Sequence, residues 1–501
     1  MRTANRNAIT AVAAAMWTGL AILAQPVPAA SAASAASAAA PAAATGHALR
    51  VGVAKVDITP KDITGLVGIV VRPYGGIHDL LYARALLLDN GVNTAAIVAL
   101  DLVEMGDTTA LRQRIEKELA IPAGSIIINA SHDHSAPRGG PPTPNTSSAQ
   151  GRPYSTPEYV KQVDDSIVDA LKRAKAALQP ARMGFGTGKV DVSVARYGYT
   201  PERGWRENPN EDGFSDKTLS VLKFESAAGT PIAVLFNYAV HSNSMTGEPK
   251  NMINGDIAGN AEKFIEHQFG DRVVALWSMG AAADEYPKFN WDMGLIDDKA
   301  SAYAPGEIQG AMIGGEAIKV MKRTTQMTDV ADLYASGRAV PCDMNVNVQA
   351  PGNPAGSGNG GAPAAAPGNG AGASGAAAAV NPAANAPPRP PQLQLKQQLP
   401  PSKPGDKLDI HLSLIRINQL AITGVSGEVG SQIFVHVKRE SPFAQNVMIT
   451  LSNDRAGYIP DDAGWDHQGP GGQAFVRGCA EKAIVDNLAD MMRASLAASS
   501  R

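Results

Sequence analysis

Cysteine is almost missing from this 501-residue chain, which has only Cys342 and Cys479. Their spacing makes neither a zinc knuckle nor a CxxC redox pair, so neither chemistry is open to them. An oxidising compartment would allow one disulfide between them; two unpaired buried thiols are the alternative. An excess of one charge is missing as well. The formal net charge is -3 with 18% charged residues, so no basic face is advertised for nucleic acid or acidic membranes. Past the N-terminal leader no apolar run approaches the roughly 18 residues of a spanning helix. No internal repeat is evident. A 44% hydrophobic content is ordinary for a globular protein with a sizeable core.

The first stretch reads as a leader. Arg2 and Arg6 form a positive n-region, Ala8 to Leu23 is apolar, and "AQPVPAASAASAASAAA" supplies small residues that suit a signal peptidase. Residues 1–40 are therefore expected to be signal peptide and Ala-rich spacer, cleaved between about residues 24 and 40. The protein is expected to be exported, either periplasmic or secreted. A retained anchor is the alternative, although the apolar stretch is short for spanning.

From near Ala48 onward, apolar strand-like runs alternate with amphipathic helical patterns. "ARALLLDNG" and "NTAAIVALDLV" flank a turn at Asn90-Gly91, a hairpin signal. "GDTTALRQRIEKELA" reads as a helix capped near Asp107 or Thr108, and "PEYVKQVDDSIVDALKRAKAAL" as a helix with Pro157 in its first turn. Later come strand "PIAVLFNYAV", helix "DIAGNAEKFIEHQF", strand "RVVALWSMG" and helix "GEIQGAMIGGEAIKVMKR". The alternation predicts an α/β fold, with a mixed β-sheet layered with helices. Residues 350–404 are almost wholly Pro, Ala, Gly, Asn and Gln, and are expected to be disordered. That segment is either a linker or an insertion into a single domain. Beyond it come strands "LDIHLSLIRINQLAITGV" and "NVMITLS", a helix near Gln432, and a last helix from about Ala474 to Leu496.

Four apolar runs end in polar clusters: "SIIINASHDHS", "PIAVLFNYAVHSNSM", "RVVALWSMGAAADEY" and "NVMITLSNDRAGY". Ligands of open α/β sheets bind outside the carboxyl ends of strands, so these clusters are candidates to converge. Three of the nine histidines, His132, His134 and His241, lie in them. Two imidazoles and a carboxylate suit a catalytic zinc that keeps one position open. A pair of satisfied structural histidines is the bland alternative.

Motif order adds a resemblance. "VGVAKVDITP", "GGIHDLLYARALLLDNG", "ASHDHSAP", "VHSNSM" with "INGDIAG", and "GE" followed by "LSNDRAGYIP" resemble the neutral, non-lysosomal ceramidases, of which this chain would hold the N-terminal catalytic domain. The match runs on both sides of the low-complexity segment. It thus implies one large catalytic domain, residues 48–349 and 405–497, interrupted by an insertion at 350–404. The resemblance implies an amidohydrolase that binds one zinc ion and cleaves the amide of ceramide or a related N-acyl lipid. It implies His132, His241, Glu428 and Tyr458 as metal ligands. It also implies that His134 and Arg196 contact the substrate carbonyl or its oxyanion, with Asp284 and Tyr286 at the adjoining strand tip. Asp284 and Tyr286 are thereby candidate catalytic residues, and Asp256 or Asp284 is a candidate to orient a histidine or carry protons. A lipid-like substrate and peripheral membrane contact follow, and no nucleic acid.

This chain departs from the family where its serine would stand, which is Tyr286 before Pro287. Ala136, Ser426 and Ala195 replace a glycine, a proline and an asparagine of the pattern. A hydrolase of a different small amide, ester or lactone therefore stays open. So does a non-catalytic envelope protein with a structural metal.

Overall fold

The computed structural model describes residues 46–69, 72–141, 155–290, 302–345, 403, 405–468 and 473–499. The leader and nearly all of the 350–404 segment lie outside the described residues, and with them the cleavage site and the expected disorder. Among the described residues no helix is long and apolar enough to cross a membrane.

In chain order the main elements are β1 (Arg50–Asp57), β2 (Tyr82–Asp89), β3 (Thr94–Leu100), α1 (Thr109–Leu119), β4 (Ile126–Ala130), α2 (Pro157–Ala176), β5 (Gln179–Lys189), β6 (Ser193–Thr200) and β7 (Gly204–Asn210). Then come β8 (Thr218–Ser226), β9 (Pro231–Tyr238), α3 (Asp256–Gln268), β10 (Val274–Met279), β11 (Glu285–Pro287), α4 (Ala304–Arg323) and β12 (Leu333–Asp343). The last are β13 (Lys407–Ile417), β14 (Leu420–Val425), β15 (Glu428–Val429), α5 (Ser431–Glu440), β16 (Gln445–Ile449), β17 (Tyr458–Ile459) and α6 (Ala480–Ser499).

Two sheets carry the fold. The first has eight strands in the order β10-β9-β8-β5-β1-β2-β3-β4, and the second has four, β12-β13-β14-β16. Pairs β9/β10, β3/β4 and β14/β16 are parallel while the other neighbours are antiparallel, so both sheets are mixed. One face of the large sheet packs on α1 and α2 at one end and on α3 and α4 at the other. Its opposite face meets the small sheet through Leu86, Leu88, Ile97, Leu222, Leu235, Ile415, Ile422 and Val447. The outer face of the small sheet is covered by α5 and α6 through Ile433, Val437, Ile484 and Leu488. The result is four layers, helix, sheet, sheet, helix. The inner strands are apolar on both faces because both are buried.

The strands that flank the low-complexity segment are direct partners. β12 pairs antiparallel with β13 from Leu333↔Ile417 to Asp343↔Lys407. The residues before and after the segment share one sheet and one core, and the described residues from Gly46 onward form one compact unit. The cysteines are joined, Cys342 of β12 to Cys479 before α6. One sequence expectation is corrected: the last helix starts at Ala480 rather than Ala474. Gly478 sits at φ 87, in the left-handed region, and Phe475 is drawn into a bridge with Met344.

The chain leaving β16 closes the large sheet. Thr450 donates its N–H to Met279 at the end of β10, and Asn453 clasps Ile128 of β4 by N–H to carbonyl (2.8 Å) and by its own Oδ1 (2.9 Å). β10 and β4 are the two edges of the eight-stranded sheet. Their ends are therefore spanned by three residues, about 10 Å of chain. The carboxyl ends of β4, β9 and β10 face one small volume for this reason.

Candidate metal centre

His132 follows β4 in the left-handed region, at φ 58. That conformation costs a non-glycine residue about 1–3 kcal/mol, and it persists here because the loop is held on both sides. Ser131 and Asp133 donate to Leu100 and Leu102 beside β3, and His134 donates its N–H to Ser242, just after β9. The turn after His241 is fixed in turn by Asp256, whose carboxylate accepts from Ser244 and Met245. Asp256 makes these backbone contacts rather than orienting a ring.

Both outer ring nitrogens face backbone carbonyls: His132 Nδ1 lies 2.9 Å from Val103 O, and His241 Nδ1 lies 2.9 Å from Glu285 O. A carbonyl can only accept, so each Nδ1 carries a hydrogen, and the neutral form of each ring presents its Nε2 lone pair inward. The two Nε2 atoms lie 3.1 and 3.5 Å from Glu428 Oε2. His134 Nε2 is 3.0 Å from His132 Nε2, and Tyr458 Oη is 3.3 Å from His241 Nε2. β15 and β17 pair in parallel with Glu428 opposite Tyr458, a register that sets the carboxylate and phenol side by side. The three histidines form a cluster able to hold a metal ion, with ring nitrogens all within 4.8 Å of one another.

Charge states favour that use. Burial pushes the His134 imidazole well below its ordinary pKa, reinforced by His132 and His241. Burial lowers His241 to about 4, against the opposing pull of Glu428. Burial opposes ionisation of Glu428, yet His132, His241 and Arg455 together hold its carboxyl well below the usual range. Neutral imidazoles and an ionised carboxylate are the ligand forms metals require. Glu428 Oε2 is fully buried without a hydrogen-bond donor. The carboxylate oxygen of Glu428 and the histidine ring nitrogens thus converge on one buried volume, and the donor set fits a cation.

Arg196 of β6 leans over this cluster. Its Nη1 lies 3.2 Å from His241 Nε2 and donates to Tyr458 Oη (3.0 Å) and Ala283 O (3.3 Å), while Nη2 pairs with Glu207 of β7. Its Nε is buried without an acceptor. The Tyr286 ring lies parallel to His241 at 6.3 Å and under the Arg196 guanidinium at 5.2 Å. Asp284 stands differently. Its two carboxylate oxygens accept from the N–H and Oγ of Ser431, each at 2.8 Å, so it caps α5 just behind Glu428. Burial raises its pKa to about 6.

Sequence reasoning missed several groups. Arg455 bridges Glu428 (3.1 Å) and the buried Glu104, and Glu207 holds Arg196. Arg455 lay inside the "LSNDRAGYIP" motif, but its partners are distant in sequence.

With this geometry in view, residues 49–289 match the family described as neutral/alkaline non-lysosomal ceramidase, N-terminal. Neutral ceramidase A of Dictyostelium discoideum is 28% identical over 234 residues, which is 43% of this chain and 32% of that protein. Neutral ceramidase of Pseudomonas aeruginosa is 27% identical over 257 residues, 48% of this chain and 37% of that protein. The chain thus spans about a third of the length of the curated relatives it matches. In fold the likeness reaches further. The crystal structure of the Pseudomonas aeruginosa neutral ceramidase superposes with a TM-score of 0.66 at 20% identity, over 91% of this chain and 75% of that one. A ceramidase complexed with C2 superposes at 0.63, also at 20% identity, over 89% of this chain and 76% of that one. The ceramidase-like fold therefore extends past residue 289.

Proposed function

We propose that the protein is an exported, zinc-dependent amidohydrolase that cleaves the amide of ceramide or a related N-acyl lipid. The observation that carries this reading is the convergence of the His132 and His241 ring nitrogens, the Glu428 carboxylate and the Tyr458 phenol oxygen in a buried volume. A zinc ion held by these four groups would lower the pKa of a water molecule and polarise the amide carbonyl. The remaining roles fall to the chain. Arg196 Nη1 and its unsatisfied Nε offer donors to the charge that develops on the carbonyl oxygen. His134, neutral and facing the same volume, is placed to take a proton from the attacking water and return it to the leaving nitrogen. Tyr286 walls the site on the Arg196 side. Export is supported by the disulfide between Cys342 and Cys479, a bond that persists in oxidising compartments.

A second reading rests on Tyr286. A phenol where the family carries a serine fills space beside His241 and Arg196, which favours a smaller amide, ester or lactone. The experiment that separates the readings is hydrolysis of a fluorescent long-chain ceramide by zinc-loaded protein, with His132→Ala and a panel of short acyl amides and esters alongside. Ceramide turnover that vanishes in His132→Ala together with bound zinc is expected. Turnover of short substrates alone would select the second reading, and full activity in His132→Ala would exclude both.

A further inference from the structure

β6 and β7 form a hairpin whose base belongs to the metal centre and whose tip does not. At the base Arg196 and Tyr197 of β6 and Glu207 of β7 meet. The register pairs Tyr197 with Glu207 and then Tyr199 with Trp205. Side chains two residues apart on a strand share a face, so this face runs from the partners of Arg196 to an aromatic pair about 7 Å further out. Tyr199 is 61% exposed, the highest exposure among the large aromatic side chains described. It packs edge-on to Trp205 at 5.6 Å, and Trp205 is stacked on His467 at 3.7 Å, which holds the indole in place from behind. The turn between the strands carries Pro201, Glu202 and an exposed Arg203, and Arg206 is exposed beside Trp205. Arg206 donates to the carbonyl of Trp205 (2.7 Å), and neither arginine forms an ion pair among the described residues.

Amphipathic aromatic rings beside unpaired guanidinium groups suit the headgroup layer of a bilayer, where the rings sit at the apolar boundary and arginines meet phosphates. We infer that the tip of the β6–β7 hairpin docks on a phospholipid bilayer surface, with Tyr199 and Trp205 at the interface and Arg203 of the turn on lipid phosphates. This deepens the proposed reading, because the docked hairpin aligns the bilayer with the wall of the metal centre. Its test does not need that reading to hold.

The test mixes the purified protein with phosphatidylcholine vesicles, with and without phosphatidylglycerol. It reads co-sedimentation and the quenching of tryptophan emission by lipids brominated in their acyl chains. The expected result is vesicle binding with quenched emission, and Trp205→Phe should remove the quenched component. Tyr199→Ser combined with Arg203→Ala should raise the lipid concentration for half-binding about tenfold, the scale set by losing one interfacial ring and one lipid-facing cation. Tyr199 is a surface residue, and the double variant should keep the wild-type melting temperature and its turnover of a monomeric short-chain amide. Absence of vesicle binding, or binding unchanged in the double variant and without Trp205 quenching, would overturn the inference. Loss of turnover on the monomeric amide with no vesicle binding would also overturn it, and would assign the tip to the substrate's own chain.

Discussion

At the scale of single residues, the centre depends on which groups hold the ligands as much as on the ligands. Arg455 lies between Glu428 and Glu104, and its removal leaves two buried carboxylates without their shared cation. Arg455→Met is expected to weaken zinc binding about 10–100-fold, the usual loss when a ligand's hydrogen-bonding support is removed, as measured by chelator competition. Unchanged affinity would show that Glu428 is oriented by its backbone alone. Tyr286→Ser should raise kcat/KM for long-chain ceramide by opening the wall beneath Arg196. A fall instead would make the phenol a contact the substrate needs. The histidines were legible in the sequence because two of them share a strand tip and imidazoles after buried strands are uncommon. Arg455 and Glu207 were not, because each earns its role from a partner brought close only by the fold.

At the scale of elements, the cap of α5 ties the ligand loop to the sheet. Asp284 holds Ser431, three residues past Glu428, so Asp284→Ala should cost about 1 kcal/mol in chemical denaturation, the worth of a helix cap. The same carboxyl gives a pH signature. Its folded pKa, about 6, lies above the unfolded value, so the native state binds the proton more tightly. Stability contributed by that proton is present below about pH 4 and is lost as pH rises through about 6. Asp284→Asn should flatten this slope, making the variant relatively more stable at pH 7.5 than at pH 4.5, by an amount on the order of 2 kcal/mol. Equal slopes in both proteins would place the titration elsewhere. Strands and helices themselves followed from periodicity. Their division into two sheets did not, since strands buried on both faces lose the alternation that would assign them to one layer. The start of α6 departs from the apolar pattern for a related reason. Phe475 and Val476 extend the apolar spacing, but Gly478 turns left-handed and ends it.

At the scale of the whole molecule, the low-complexity segment is bridged twice, by the β12/β13 pair and by the disulfide. Replacing residues 350–400 with a short Gly-Ser link should leave the melting temperature equal or slightly higher, because the ends already meet and a shorter loop costs less to close. A large drop would mean that the segment packs on the fold. Cys342 and Cys479 are 137 residues apart, and loop-closure entropy predicts a loss of up to about 5 kcal/mol in the Cys342→Ser/Cys479→Ser variant. Four layers and a closed large sheet explain why strand ends from distant parts of the chain reach one site. The segment leaving β16 makes that closure, and no local pattern in the sequence announces it.

The most direct test of the central claim is anomalous diffraction at the zinc edge from crystals of the zinc-loaded protein. The account predicts one strong peak bounded by His132, His241, Glu428 and Tyr458, with Arg196 Nη1 and His134 Nε2 facing it. Zinc found only at surface histidines, with no peak among these four residues, would contradict it.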